Sequence, residues 1–161
     1  LLFKAVSKNT KTGAIHELEK RLKNGGVKVG IIKAKGKVVY EGTDASVAYI
    51  GSIHEFGHEE SNIPERSFIR STIQDQQENL KKLLAIQAIR IIEDGISVTK
   101  ALNTLGAFTA GKIKKKFTNN DWKELEDSTK KSKVVNGKSG NTPLINTGQL
   151  RNSIHWEVVS D

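Results

Sequence analysis

Cysteine is absent from the sequence, which excludes a disulfide framework and a thiolate metal site and leaves any metal to histidines and carboxylates. Aromatic residues are scarce at 6%, and hydrophobic residues make up only 36% against 27% charged. The chain is therefore polar for a globular protein yet outside the disordered class, and a thin core with exposed arms is expected. Long hydrophobic runs are missing too. The uncharged stretch 101–111, like the polar one at 139–150, is far too short to cross a bilayer, and residues 1–6 carry no signal-peptide pattern, so a soluble protein with no membrane partner is expected. The sequence begins at Leu1 rather than Met, and encoded residues ahead of it are expected. At 161 residues a single domain spanning 1–161 is the natural size.

What is abundant is lysine, and its placement says more than its total. The net charge of +8 is unevenly spread. Residues 1–40 hold ten Lys and Arg against two Asp and Glu; residues 41–110 hold six against ten; residues 111–140 hold nine against four. A chain that is basic at two places and acidic between them suits head-to-tail packing of identical subunits at least as well as phosphate binding.

Hydrophobic spacing predicts the elements. Ile15, Leu18 and Leu22 mark a short helix over 12–24, stopped by Gly25-Gly26. The β-branched run 27–32 and a second run, Val38-Val39-Tyr40, read as a β-hairpin. Asp44 or Ser46 can cap a helix to Phe56 that Gly57 ends, with Val47, Ile50 and Ile53 or His54 inward. The longest pattern, 67–94, traces a stripe through Ile69, Ile73, Leu80, Leu84 and Ile91, broadened by Leu83, Ile86 and Ile92, and reads as the main core helix. A second long helix over 97–117 turns Leu102, Leu105, Ile113 and Phe117 inward, and its small residues Gly106, Ala107, Ala110 and Gly111 permit close approach. Residues 119–142 read as a polar arm with a short helix around 122–131. Thr147 can then cap one helical turn before a closing strand of Ile154, Trp156 and Val158. The fold class is α+β: a small antiparallel sheet, made of an N-terminal hairpin and a C-terminal strand, packed against two long helices and shorter ones.

One motif tempts toward catalysis. His54-Glu55-Phe56-Gly57-His58 matches H-E-x-x-H, in which two imidazoles on one helical face hold zinc and the glutamate polarises a water. Gly57 should end the helix and turn His58 away from His54, and His16 and His155 lie in unrelated segments. The plainer reading is a helix C-terminus whose imidazoles favour the dipole. Glu41, Asp44 and Glu55 read as solvated carboxylates. With no nucleophile elbow and no phosphate loop, neither an enzyme nor a cofactor is expected. Lys112, Lys114, Lys115, Lys116, Lys130 and Lys131 form the best nucleic-acid candidate, but stacking aromatics are not interleaved with them, and a solvated helix end is the simpler account.

Two stretches carry a family resemblance. The first runs from Val47-Ala48-Tyr49-Ile50 through His54-Glu55-Phe56-Gly57 to Ile63-Pro64-Glu65-Arg66-Ser67-Phe68-Ile69-Arg70. The second runs from Thr142-Pro143-Leu144-Ile145-Asn146 through Thr147-Gly148-Gln149-Leu150-Arg151-Asn152 to Ser153-Ile154. Their order and content resemble the neck and tail-completion proteins of tailed bacteriophages, also called virion morphogenesis or head-tail joining proteins. In that group an E-F-G stop precedes I-P-x-R-x-F-[LI]-R, and P-L-[IV]-D-T-G-x-L-R-x-S-I precedes the final strand. Residues 1–40 and 111–140 are variable ground. Glu65 and Ser67 depart from the commoner Ala and Pro, and Asn146 from Asp. Ser67 can still cap a helix, and Asn146 can still turn the chain.

The resemblance implies a structural virion protein, a homo-oligomeric ring of expected sixfold symmetry between head connector and tail tube, assembled in the host cytoplasm. The genome would pass through it, its lysines facing the DNA or a neighbour, and its partners would be neck, connector, tail-tube and tail-terminator proteins. Phe56, Pro64, Arg66, Phe68, Arg70, Leu144, Thr147, Leu150 and Arg151 are then the candidate interface or fold-anchoring residues. Arg66 and Arg70, four apart, would share a face and reach carboxylates. The alternatives are a nucleic-acid-binding protein using the lysines and a zinc hydrolase using His54, Glu55 and His58.

Overall fold

The computed structural model describes residues 25–118 and 148–160, with residues 13, 15, 16, 19 and 20 ahead of them. Those five have helical backbone; the rest of the helix expected over 12–24, like the arm 119–142 and its short helix, lies outside the described residues. The class is α+β. Strand β1 (Gly25–Ile31) pairs antiparallel with β2 (Ile154–Ser160), and between them lie α1 (Lys33–Gly36), α2 (Val47–Phe56), α3 (Arg70–Asp75), α4 (Gln77–Glu93), α5 (Val98–Lys116) and α6 (Gln149–Asn152).

The partner of β1 corrects the expected hairpin. The register sets Val27 opposite Val158, Val29 opposite Trp156 and Ile31 opposite Ile154, so all six apolar side chains share one face of the ribbon. The nearby run 38–40 offers no such face. Val38 and Val39 are exposed, and the run instead closes a tight turn, Tyr40 N–H donating to the Ala45 carbonyl at 2.8 Å and Val47 N–H to the Val38 carbonyl at 2.8 Å. Both runs have strand propensity. Pairing goes to the distant strand because it buries more apolar surface.

That face lies on α5, the true core helix. Ala101, Leu102, Leu105, Gly106, Thr109, Ala110 and Ile113 of α5 are buried, and Leu102, Leu105, Ile113 and Phe117 point inward as their spacing requires. Gly106 is where helix and ribbon meet most closely: a Cβ there would overlap the Trp156 ring and a Val27 methyl. Gly106→Ala is expected to destabilise by about 2 kcal/mol through overpacking, read as a lower urea midpoint with an unchanged slope.

The expected helix over 67–94 is two helices, and it is not the core. Gln76, at φ −100° and ψ 7°, separates α3 from α4. Within this first stretch the Ser71 hydroxyl donates back to the Ser67 carbonyl and the Thr72 hydroxyl to the Phe68 carbonyl at 2.7 Å, the kind of back-bonding that bends helices. In α4 only Gln87 is buried, while Leu84, Ile86 and Ile89, like Ile73 of α3, are exposed. The reason is coverage. The sheet lies over one side of α5, whereas α4 meets α5 along Leu84, Gln87, Ala88 and Ile91 against Val98, Ala101, Leu102 and Leu105 and leaves its other side bare.

The main core is formed by Val47, Phe68, Ala110, Ile113, Phe117, Leu150 and Ile154. Phe68 and Phe117 lie at its centre, fully buried, their rings 4.8 Å apart and tilted by 49°.

Candidate functional site

Helix α2 starts where Ser46 Oγ accepts from the Tyr49 amide at 3.2 Å. It stops at Phe56 because Gly57 takes φ 77°, a conformation that costs a side chain dearly; a Cβ there would also lie 3.0 Å from the Glu65 amide. The inner face of α2 is Val47, Gly51 and Glu55, one turn apart. The last of these is not a solvated carboxylate, as its sequence context suggested: Glu55 is only 4% exposed.

Its two oxygens organise the start of α3. Oε1 accepts from Ser67 Oγ at 2.9 Å, the Arg70 amide at 2.8 Å and Arg70 Nε at 3.2 Å, and Oε2 accepts from the Ile69 amide at 2.8 Å. A carboxylate from one helix thus satisfies backbone donors at the head of the next, favoured by both hydrogen bonding and the helix dipole. Ser67, expected to cap this helix, shares the task, its Oγ accepting from the Ser71 amide at 3.2 Å. Arg70 closes the arrangement, with Nη2 donating to the Glu55 carbonyl at 2.8 Å and to Glu65 Oε1 at 2.9 Å, and the guanidinium 4.5 Å above the Phe56 ring. Phe56 itself is 63% exposed. Beside it, Ile31, Ala48, Gly51, Ile69 and Phe68 line a mainly apolar groove of about 260 Å³.

Arg66 does not share a face with Arg70. It sits in the extended segment before α3, buried to 5% exposure, with Nε lacking an acceptor, and burial pushes its guanidinium below the usual range. Spacing by four brings side chains together only inside a helix, and α3 begins at Arg70. Pro64 is half-buried beside the turn in which His58 and Ile63 exchange backbone hydrogen bonds.

The H-E-x-x-H match is divided by the same geometry. Gly57 ends the helix between the two histidines, and His58 Nδ1 accepts from the Ser61 amide at 3.2 Å within its own turn. Among the described residues, no three His, Cys, Asp or Glu come together as a metal site. His54 was expected to be one of two imidazoles favouring the dipole at a helix C-terminus. Instead its Nδ1 is buried without a partner, and desolvation, with the Arg66 charge beside it, lowers its pKa to about 4. The unfolded chain takes up this proton below about pH 6.5 and the folded chain only near pH 4. Stability is therefore full above about 6.5 and falls as pH drops toward 4, by about 2 kcal/mol allowing for partial exposure. Urea titrations at a series of pH values should show this loss, and His54→Asn should flatten it over the same window.

The described part of the second motif stretch, residues 148–154, packs against the first. Leu150 is buried in the core with Val47 and Phe68, and Ile154 follows it there. Leu144 and Thr147 lie outside the described residues; the residue at the N-cap position is Gly148, in a left-handed conformation and without a side-chain cap. Arg151 is exposed. Gln149, which the sequence did not mark, bridges the turn before α2: its Nε2 donates to the Val39 carbonyl at 2.9 Å and its Oε1 accepts from the Glu41 amide at 2.8 Å. Only its amide, able to donate and accept at once, could have signalled this.

The lysines do not form one free patch. Lys116 donates to Asp75 at 2.9 Å, Lys112 sits 5.1 Å from the Phe108 ring centroid, and Lys115 is exposed. Lys114 is half-buried. Lys130 and Lys131 lie outside the described residues.

Comparison with family models, curated proteins and solved structures finds no match. The functional reading therefore rests on the residues themselves.

Proposed function

We propose that this protein is a structural subunit of the neck of a tailed bacteriophage, forming a ring that completes the tail or joins it to the head. The observation that carries the reading is that the first motif stretch and residues 148–154 of the second, far apart in sequence, build one unit. Glu55, Phe56, Ser67 and Arg70 from the first lock α2 to α3. Leu150 and Gln149 from the second seat that pair on the core and clamp the turn before it. Every one of these side chains positions another part of the chain, which is the chemistry expected of an assembly subunit rather than of a site that turns over substrate. The exposed Phe56, held under Arg70 beside an apolar groove, supplies the aromatic and arginine pairing common at protein interfaces.

The test is deletion of the protein from the phage that encodes it. Full heads and complete tails that fail to join, or tails of abnormal end structure, are expected in electron micrographs. Joined, infectious particles would overturn the reading. Mixing purified protein with tail tubes, followed by negative staining and light scattering, then places the ring: rings on tube ends put it on the tail side, and indifference to tubes puts it on the head side.

A further inference from the structure

The bare side of α4 carries a pattern that is complementary to itself. Lys82, Ile86, Ile89 and Glu93 recur at intervals of four, three and four residues, so at 100° per residue they fall within a sector of about 60°. That sector lies opposite the Leu84, Gln87, Ala88 and Ile91 face that meets α5. Ile86 and Ile89 are 52% and 53% exposed, and Lys82 and Glu93 are exposed as well. Their charged neighbours are paired within the helix, Lys81 with Glu78 and Arg90 with Asp94. Among the described residues Lys82 and Glu93 have no ion partner.

We infer that α4 is a two-fold interface with a second copy of this chain, the two α4 helices lying antiparallel. A rotation axis passing the helix between residues 87 and 88 sets Ile86 against the partner's Ile89 and Lys82 against the partner's Glu93, and each contact occurs twice. This is the condition for an isologous contact, in which residue i meets j and j meets i. Antiparallel packing also opposes the helix dipoles favourably. A parallel arrangement would set lysine on lysine and glutamate on glutamate, and an unrelated partner would have no reason to match a palindromic order of charge, apolar, apolar, opposite charge. The contact is a single helix pair, smaller than the roughly 800 Å² per partner of a standard stable interface, so the dimer is weak and concentration-dependent. It is independent of the phage reading, since it concerns the purified protein without tails or heads.

Sedimentation velocity of the full chain, from low micromolar to near-millimolar concentration, tests it. The unmodified protein is expected to pass from monomer to dimer. Lys82→Glu and Glu93→Lys each replace two attractive contacts by two repulsive ones and should weaken the dimer about tenfold or more. An equal mixture of the two variants should restore it, because one chain then presents two carboxylates and the other two ammonium groups at facing positions. The double variant should restore it as well. Both residues are exposed, so circular dichroism and melting of each variant should match the unmodified protein. Monomer at every concentration, dimerisation of both single variants as tight as that of the unmodified protein, or a mixture no tighter than its components would overturn the proposal.

Discussion

Replacing Phe68 by alanine is expected to cost about 4 kcal/mol of folding stability, near the upper end for a large-to-small core change. The side chain is fully buried and its ring meets Phe117 at 4.8 Å, so the substitution removes the aromatic pair and leaves a cavity between α3 and α5. The surroundings are poorly placed to collapse into it. Ile69 and Arg70 next to it are tied by their amides to Glu55, and Phe117 ends α5. Urea denaturation should show a large fall in midpoint. Phe68→Leu, which keeps much of the volume, should cost well under half as much.

The second large effect is at Glu55, where alanine should cost about 3 kcal/mol. The carboxylate accepts from two backbone amides, a hydroxyl and a guanidinium. Its loss would leave amides at the start of α3 without a partner in a partly buried place. Glu55→Gln discriminates between shape and charge. It keeps the volume and can still accept, but it loses the charge-assisted bonds, so an intermediate loss of about 1–2 kcal/mol is expected. The Arg70 guanidinium is itself half-exposed, which limits what its ion pair with Glu55 contributes. If alanine and glutamine variants unfold at the midpoint of the unmodified protein, the capping role of Glu55 is wrong.

Elements with strong local signals were legible in the sequence. Ser46 and Gly57 bracket α2 through capping chemistry that acts within a few residues, and the Leu102, Leu105, Ile113 and Phe117 stripe of α5 identifies its inner face. The closing strand was legible from its alternation. What was not legible depends on partners distant in sequence. Strand propensity at β1 says nothing of whether residues 38–40 or 154–160 will pair with it; the decision lies in the apolar face that Ile154, Trp156 and Val158 complete. The apolar content of α4 promised burial, yet burial requires something to lie over it, and α5 spends its best face on the sheet. Of the candidate site, Gly57 correctly separated His54 from His58. The role of Glu55 was hidden, because a carboxylate capping a different helix has no spacing signature. Gln149 was hidden for a similar reason, its acceptor and donor being the backbone of residues 39 and 41.

The pairing of β1 with β2 has a consequence for how the molecule is made. The first strand leaves the ribosome long before its partner exists, and the apolar flank of α5 stays uncovered until Ile154, Trp156 and Val158 have been synthesised. Contacts of such long sequence separation form late and slowly. A nascent or truncated chain lacking β2 lacks half the ribbon and the ring that seats on Gly106. Its core stays open to chaperones and proteases. Synthesis of β2 thus acts as a checkpoint on the supply of folded protein.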